Sequence, residues 1–299
     1  MKKNKDIKFF DKNINRKSKL SDKNIIFFKN SKILMPSVFE ISNSGMCNRK
    51  CAFCPRSDPN YEHNNEFIEE KMYKKFVDEI AQHQYSGTII FSGYVEPLLH
   101  KRIYSDIRYT KEKLPNVNIE LITNGDPLND ARALKLFDNG LDVLLISAYD
   151  GPEQVLLFEE MMKRIKVEKN KFVIRKRYYG EDKDFGLTIS NRAGNLTNSD
   201  YKIPALKKAL NNPCNYPFYT FFIDYNGDVQ MCSHDWGKKM VLGNINSNSI
   251  EDIWNSKRFE FMRKKLLKGE RDFSPCNLCD VKGGLIGKKH VEYWKENNG

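Results

Sequence analysis

Short runs rich in β-branched and aromatic residues recur along the first two thirds of the chain, separated by longer helix-like stretches. The short runs predict strands at Val38–Ile41, Thr88–Phe91, 117–122, 143–147, 172–175 and 187–189. Helices are predicted between them over 66–82, 101–113, 128–139 and 153–167. The third helix is clearly punctuated: Asp126 suits its cap, Pro127 its first position and Gly140 its end. Strands alternating with helices predict an α/β fold, a mainly parallel sheet with helices outside. Periodicity alone does not separate an open partial barrel from a doubly wound sheet.

Near Tyr201 the pattern changes. Two short strands are predicted over 218–223 and 229–232, and Asn226-Gly227 between them is a hairpin turn signal. A helix is predicted over 250–267, with Ser249 and Asp252 spaced as a capping box. Three segments follow: a basic lead-in at 1–34 with an apolar patch at Ile25-Ile26-Phe27-Phe28, a core over 35–200, and a smaller unit over 201–299.

Composition bounds the function. With 299 residues, 40% hydrophobic and 12% aromatic, the chain can bury a large core. No apolar run approaches the ~20 residues of a membrane span. The basic start, Met1-Lys2-Lys3-Asn4-Lys5, lacks the apolar stretch of a secretion signal. The expectation is a cytoplasmic protein whose thiols stay reduced and free for metal. The net charge of +11 would attract an acidic electron donor or a phosphorylated substrate. It is spread along the chain without a compact basic block, which argues against nucleic acid.

Seven cysteines fall into two groups. The first is Cys47-Asn48-Arg49-Lys50-Cys51-Ala52-Phe53-Cys54, just after the first predicted strand. Three thiolates there can hold three irons of a cubic [4Fe–4S] cluster and leave the fourth iron open to a chelating small molecule. The other reading is zinc, which prefers a fourth ligand; His63 is the nearby candidate. The C-x3-C-x2-C pattern resembles the radical S-adenosylmethionine (SAM) enzymes, in which the open iron binds SAM through its methionyl amine and carboxylate. The resemblance implies an open partial (β/α)6 barrel. It also places Phe53 against the adenine of SAM.

Further elements resemble the same family, each at a strand end. Gly93-Tyr94-Val95-Glu96-Pro97-Leu98-Leu99 looks like the element that meets the SAM amine, which implies Gly93 and Glu96 as SAM contacts. Thr123-Asn124-Gly125 implies Asn124 near SAM, and Ser147-Ala148-Tyr149-Asp150-Gly151 implies Ser147 at its ribose or carboxylate. Asn191-Arg192-Ala193-Gly194 resembles members with a C-terminal cluster domain, where Arg192 would hold the SAM carboxylate or touch substrate. Arg192 and Asp150 are the candidate catalytic residues for proton removal. Active sites of parallel α/β folds lie at strand C-terminal ends.

Cys214, Cys232, Cys276 and Cys279 form the second group. Their spacing resembles a SPASM domain cut down to the twitch form, a small α+β unit, as in radical SAM dehydrogenases acting on aminocyclitols. Four thiols can ligate every iron of a second [4Fe–4S] cluster, or bind a structural zinc. The implied function is oxidation of a secondary alcohol on a sugar or cyclitol, with the second cluster as electron acceptor. The expected partners are a small-molecule substrate, with phosphorylated and nucleotide-linked sugars among the candidates, and a flavodoxin- or ferredoxin-like electron donor. Two alternatives stay open: a SPASM-type enzyme that modifies ribosomal peptides, and a non-catalytic iron–sulfur or zinc protein.

Overall fold

The computed structural model describes residues 12–178, 190–196 and 205–298. The predicted strand at 187–189 and the junction near residue 200 lie outside the described residues. Five parallel strands alternate with helices: β1 (Val38–Ile41), α2 (Glu70–Gln82), β2 (Thr88–Phe91), α3 (Ile103–Lys113), β3 (Asn118–Thr123), α4 (Asp130–Asp138), β4 (Val143–Ala148), α5 (Pro152–Arg164) and β5 (Phe172–Lys176). Every position of β2 and β4 is buried, as expected of parallel strands covered on both faces.

The segment expected to open a second unit returns to the main sheet. After a short α6 (Tyr216–Tyr219), β6 (Thr220–Ile223) runs parallel to β1, with Val38 opposite Thr220 and Ile41 opposite Ile223. β7 (Asp228–Gln230) and β8 (Val241–Asn244) add antiparallel strands, and the expected hairpin joins β6 to β7. The result is one eight-stranded sheet in the order β5-β4-β3-β2-β1-β6-β7-β8.

Local details differ from the sequence reading. Asn129, not Asp126, caps α4 and accepts from the Arg132 amide at 2.9 Å. Asp126 is engaged elsewhere, as described below. The helix expected over 250–267 is two helices, α7 (Ile250–Trp254) and α8 (Lys257–Leu267). Ser249 caps the first as expected. Ser256 caps the second by accepting from the Phe259 amide, next to the Asn255 C-cap of the first.

Two elements frame the barrel interior. α1 (Lys12–Lys23) reaches Glu120 of β3 through Arg16, which donates two hydrogen bonds of 2.5 and 2.8 Å to it. α9 (Lys288–Asn298) follows residues 281–286, and Ser18 of α1 donates to the Leu285 carbonyl at 3.3 Å. Among the described residues no helix is long and apolar enough to cross a membrane.

Phe39 sits at the centre of the opposite face, wholly buried. Its ring meets Phe76 of α2 at 5.2 Å, Tyr85 at 4.9 Å and Phe221 of β6 at 5.4 Å. It therefore joins an early helix to the returning strand. Phe39→Ala should cost ~3–5 kcal/mol of stability through the cavity it leaves. Leu157→Ala, at a side chain 64% exposed, should cost less than about 0.5 kcal/mol. Urea denaturation of the two variants beside the parent measures the difference.

Candidate active site

The loop after β1 carries the first three cysteines and is held from several sides. The Cys54 amide bonds the Cys51 carbonyl at 2.8 Å, and a 3-10 turn at Pro55–Ser57 follows. Arg56 is buried and donates to the Tyr94 carbonyl at 2.6 Å and the Gly45 carbonyl at 2.7 Å. Arg49 clasps Asp126 after β3 and Asp150 after β4, with Nε 2.6 Å from Asp126 and Nη1 2.7 Å from Asp150. Asn124 donates to Asn48 at 2.8 Å and directs its amide at Cys47 Sγ, 3.9 Å away. The cysteine loop is thus fastened to the turns that follow three neighbouring strands.

Each thiol of this set is pushed up by burial. Cys51 reaches about 12, with Cys54 and Cys47 the next contributors. Burial also raises Cys232 well above its ordinary value, followed by the charges of Cys276, Cys279 and Cys214. Each set is close enough for its charges to repel, so ionising all its members needs a polycation among them. Among the described residues, no three or more His, Cys, Asp or Glu side chains are gathered to hold a single metal ion. Three thiolates suit a cubane that leaves one iron open, and four suit a cubane ligated at every iron.

The second set sits on three loops. Arg271 locks two of them, donating to the carbonyls of Asn212 at 2.9 Å, Pro213 at 3.2 Å, Val281 at 2.7 Å and Lys282 at 2.8 Å. Gly283 lies against Cys214 at φ +71°, and a Cβ there would stand 2.3 Å from Cys214 Sγ. The Asn191 element docks on the Cys276–Leu278 turn: its side chain donates to the Leu278 carbonyl at 2.6 Å, and its amide donates to Asp280 at 3.0 Å.

A cavity of about 370 Å³ opens between the two sets. Phe53 of the first loop and Tyr149 wall one side, their rings 5.3 Å apart. Val281 and Gly283, beside the second set, wall the other. Arg192 lines it with a buried Nε that has no hydrogen-bond partner. His234 lines it too, 3.3 Å from the Tyr216 hydroxyl. Burial, then the charge of Arg192, pushes His234 down to about 3, so the imidazole is neutral there.

The remaining candidates are placed as follows. Gly93 sits at φ +91°, where a Cβ would meet Ser42 and Phe222 at 3.0 Å. Glu96 is 1% exposed and accepts from the Leu98 amide at 3.1 Å, the Thr123 hydroxyl at 2.7 Å and the Asn124 amide at 2.7 Å. Its carboxyl faces these protein donors and fixes Asn124. Ser147 is buried and hydrogen-bonded to Tyr149. Asp150 does not line the cavity; the hydrogen bonds from Arg49 hold its carboxyl below the usual range, which makes it a poor proton acceptor. Sequence reasoning missed Arg49, Arg56, Arg271 and α1. The available signal was the placing of Arg49 and Arg56 in and beside the cysteine loop.

Cysteines gathered at the strand ends of a parallel sheet, facing a second buried set across a cavity, define an iron–sulfur enzyme of two-cluster type. The sequence model of the radical SAM superfamily matches residues 41–177, and that of the SPASM iron-sulfur cluster-binding domain matches 214–280. Over 247 residues the chain is 30% identical to the S-adenosyl-L-methionine-dependent 2-deoxy-scyllo-inosamine dehydrogenase of Niallia circulans, covering 82% of this chain and 92% of that protein. It superposes on the crystal structure of BtrN in complex with AdoMet and 2-DOIA with a TM-score of 0.71 and 28% identity, covering 85% of this chain and 96% of that one. AdoMet-bound anSMEcpe shares the fold at a TM-score of 0.55 and 15% identity, covering 88% and 94%. The chain belongs to the radical SAM superfamily, with an auxiliary iron–sulfur domain of SPASM type. Its cofactors are SAM, the [4Fe–4S] cluster that binds it, and auxiliary iron–sulfur.

Two outcomes test this geometry. Gly283→Ala should displace Cys214, so iron and sulfide should fall from about eight to about four of each per chain, the loss of one [4Fe–4S] cluster. Elemental analysis after anaerobic reconstitution reads this. Burial pushes the Glu96 carboxyl from 4.5 to about 7. Its contribution to stability is therefore full below pH 4.5 and lost as pH rises through about 7. Glu96→Gln should flatten that slope in urea titrations of the cluster-free protein.

Proposed function

We propose that this enzyme oxidises a secondary alcohol of a small polar substrate, a sugar or cyclitol, to a ketone. The observation that carries the reading is a cavity walled by Phe53 on one side and Gly283 on the other, so that its occupant stands between the two cysteine sets. At about 370 Å³ it suits a small molecule better than a peptide segment. The relative named as a 2-deoxy-scyllo-inosamine dehydrogenase supports the same chemistry.

In this reading Cys47, Cys51 and Cys54 hold the SAM-binding cluster, and Cys214, Cys232, Cys276 and Cys279 hold the auxiliary one. When bound, the cofactors supply a 5′-deoxyadenosyl radical that takes a hydrogen atom from an unactivated C–H bond, and a fully ligated cluster that accepts the second electron. The chain supplies position and charge. Phe53 would pack against the adenine, and Asn124, held by Glu96, together with Gly93 and Ser147 would complete the SAM side. Arg192, unpaired at Nε, would steady the substrate oxygen while its proton passes to solvent, because a guanidinium favours the anionic oxygen. We place the enzyme in the cytoplasm, reduced by an acidic flavodoxin- or ferredoxin-like protein that its positive charge would attract. Among alcohols, phosphorylated or nucleotide-linked sugars suit that charge best.

A substrate deuterated at the reacting carbon tests the reaction. Deuterium should appear in 5′-deoxyadenosine, with one SAM consumed per turnover and a product lighter than unlabelled substrate by two hydrogens. A product of unchanged mass carrying solvent hydrogen at that carbon would mean epimerisation and defeat this reading.

A further inference from the structure

Tyr94 is tied to both cysteine loops. It follows β2 and is 3% exposed. Its turn grips the first cysteine loop at each end. The Glu96 amide donates to the Met46 carbonyl at 2.9 Å, just before Cys47. The Tyr94 carbonyl accepts from Arg56 Nε at 2.6 Å, just after Cys54. The Tyr94 side chain then runs to the second set. Its hydroxyl lies 2.6 Å from Gln230 Oε1 and 3.0 Å from the Asp235 carbonyl, so its proton is shared between acceptors on either side of Cys232.

The stretch around Cys232 is itself a closed loop. The Asp235 amide donates to the Cys232 carbonyl at 3.2 Å. The Asp235 carboxylate accepts from the Lys239 and Met240 amides at 3.0 and 2.8 Å. Trp236 packs on the Tyr94 ring at 4.4 Å and meets Tyr61 at 6.2 Å. The Arg56 guanidinium lies over the Tyr61 ring at 5.0 Å. Arg56, Tyr94, Trp236 and Tyr61 therefore form a circuit of contacts that joins the two loops. None of the four lines the cavity, so their task is to hold the protein around the substrate rather than the substrate itself.

We propose that Tyr94 is a positioning residue that fixes the second cysteine set relative to the first, and that the substrate's second electron is collected efficiently only while its hydroxyl holds that placement. In the alcohol-oxidising reading, on which this rests, the substrate carbon first loses a hydrogen atom. The resulting radical then loses a proton to solvent and one electron to the iron held by Cys214, Cys232, Cys276 and Cys279, which leaves the ketone. A misplacement of about 1 Å in a reacting pair can cost on the order of 100-fold in rate. A radical not oxidised in time is quenched instead, by an electron from the dithionite of the assay and a proton from water, which returns the alcohol. 5′-Deoxyadenosine is then formed without ketone. Placement is measured without turnover, so it and the alcohol-oxidising reading fail separately.

The experiment compares the anaerobically reconstituted parent with Tyr94→Phe, which keeps the ring and removes the hydroxyl. With both clusters reduced by dithionite, the spin–spin coupling between them in the electron paramagnetic resonance spectrum reports their mutual placement. The parent should show one defined coupling. Tyr94→Phe should broaden it while iron stays at about eight per chain. In turnover with whichever alcohol the parent oxidises best, from a panel of sugars and cyclitols that includes 2-deoxy-scyllo-inosamine, the variant should form more than one 5′-deoxyadenosine per ketone. Its kcat for ketone should fall by up to about 100-fold, with KM for SAM unchanged. Gln230→Leu cuts the same bond from the other side and should act alike, and the double variant should be no worse than either single one. The proposal is overturned if both single variants keep the parent's coupling and its ratio of 5′-deoxyadenosine to ketone, if SAM binding weakens while the coupling stays, or if the two substitutions add as independent changes.

Discussion

The parallel pairing of β6 with β1 is the contact on which the rest of the site depends. Four residues of each strand are in register, and the ladder continues past it, with the Ser42 amide bonded to the Ile223 carbonyl at 2.9 Å. The first cysteine loop starts where β1 ends. Cys232 follows β7, the strand that β6 leads into. One shared ladder therefore ties together residues nearly two hundred positions apart, with the first cysteine loop beyond the C-terminal end of β1 and Cys232 beyond the far end of antiparallel β7. Phe39 seals it on the helical side, and Tyr94 crosses it on the other, donating from its hydroxyl to Gln230 at 2.6 Å.

Charge is the second constraint. Thiolates held close together repel, and burial makes each harder to ionise. The protein meets this with rigid loops. Arg49, Arg56 and Arg271 make charged hydrogen bonds to carboxylates or to backbone carbonyls around the cysteines. Each draws together segments distant in sequence, so the thiols are already placed before a cluster arrives. This is preorganisation by guanidinium forks, whose fixed geometry suits several acceptors at once.

Much of this was legible from local pattern. Strand-end loops announce themselves by cysteine spacing and by turns such as Thr123-Asn124-Gly125, and both signals are short-range. The path of β6 was not legible, because the run Thr220-Phe221-Phe222-Ile223 looks the same whether it opens a new unit or rejoins an old sheet. α1 was missed for a related reason. Its lysines and asparagines read as solvated surface, and its burial depends on an Arg16–Glu120 pair spanning 104 positions. The commitments of Asp126 and Asp150 to Arg49 were hidden in the same way, since each could serve locally as a helix cap.

The docking of α1 has a consequence for biosynthesis. Residues 12–23 leave the ribosome early, yet the Ser18 hydroxyl takes its acceptor from Leu285, 267 positions later. Contacts of such separation form late, because closing so long a loop must precede any reward from it. Closing α1 over the cavity therefore waits until the segment after Cys279 has been made, and the chamber's last wall is built from the two ends of the described chain.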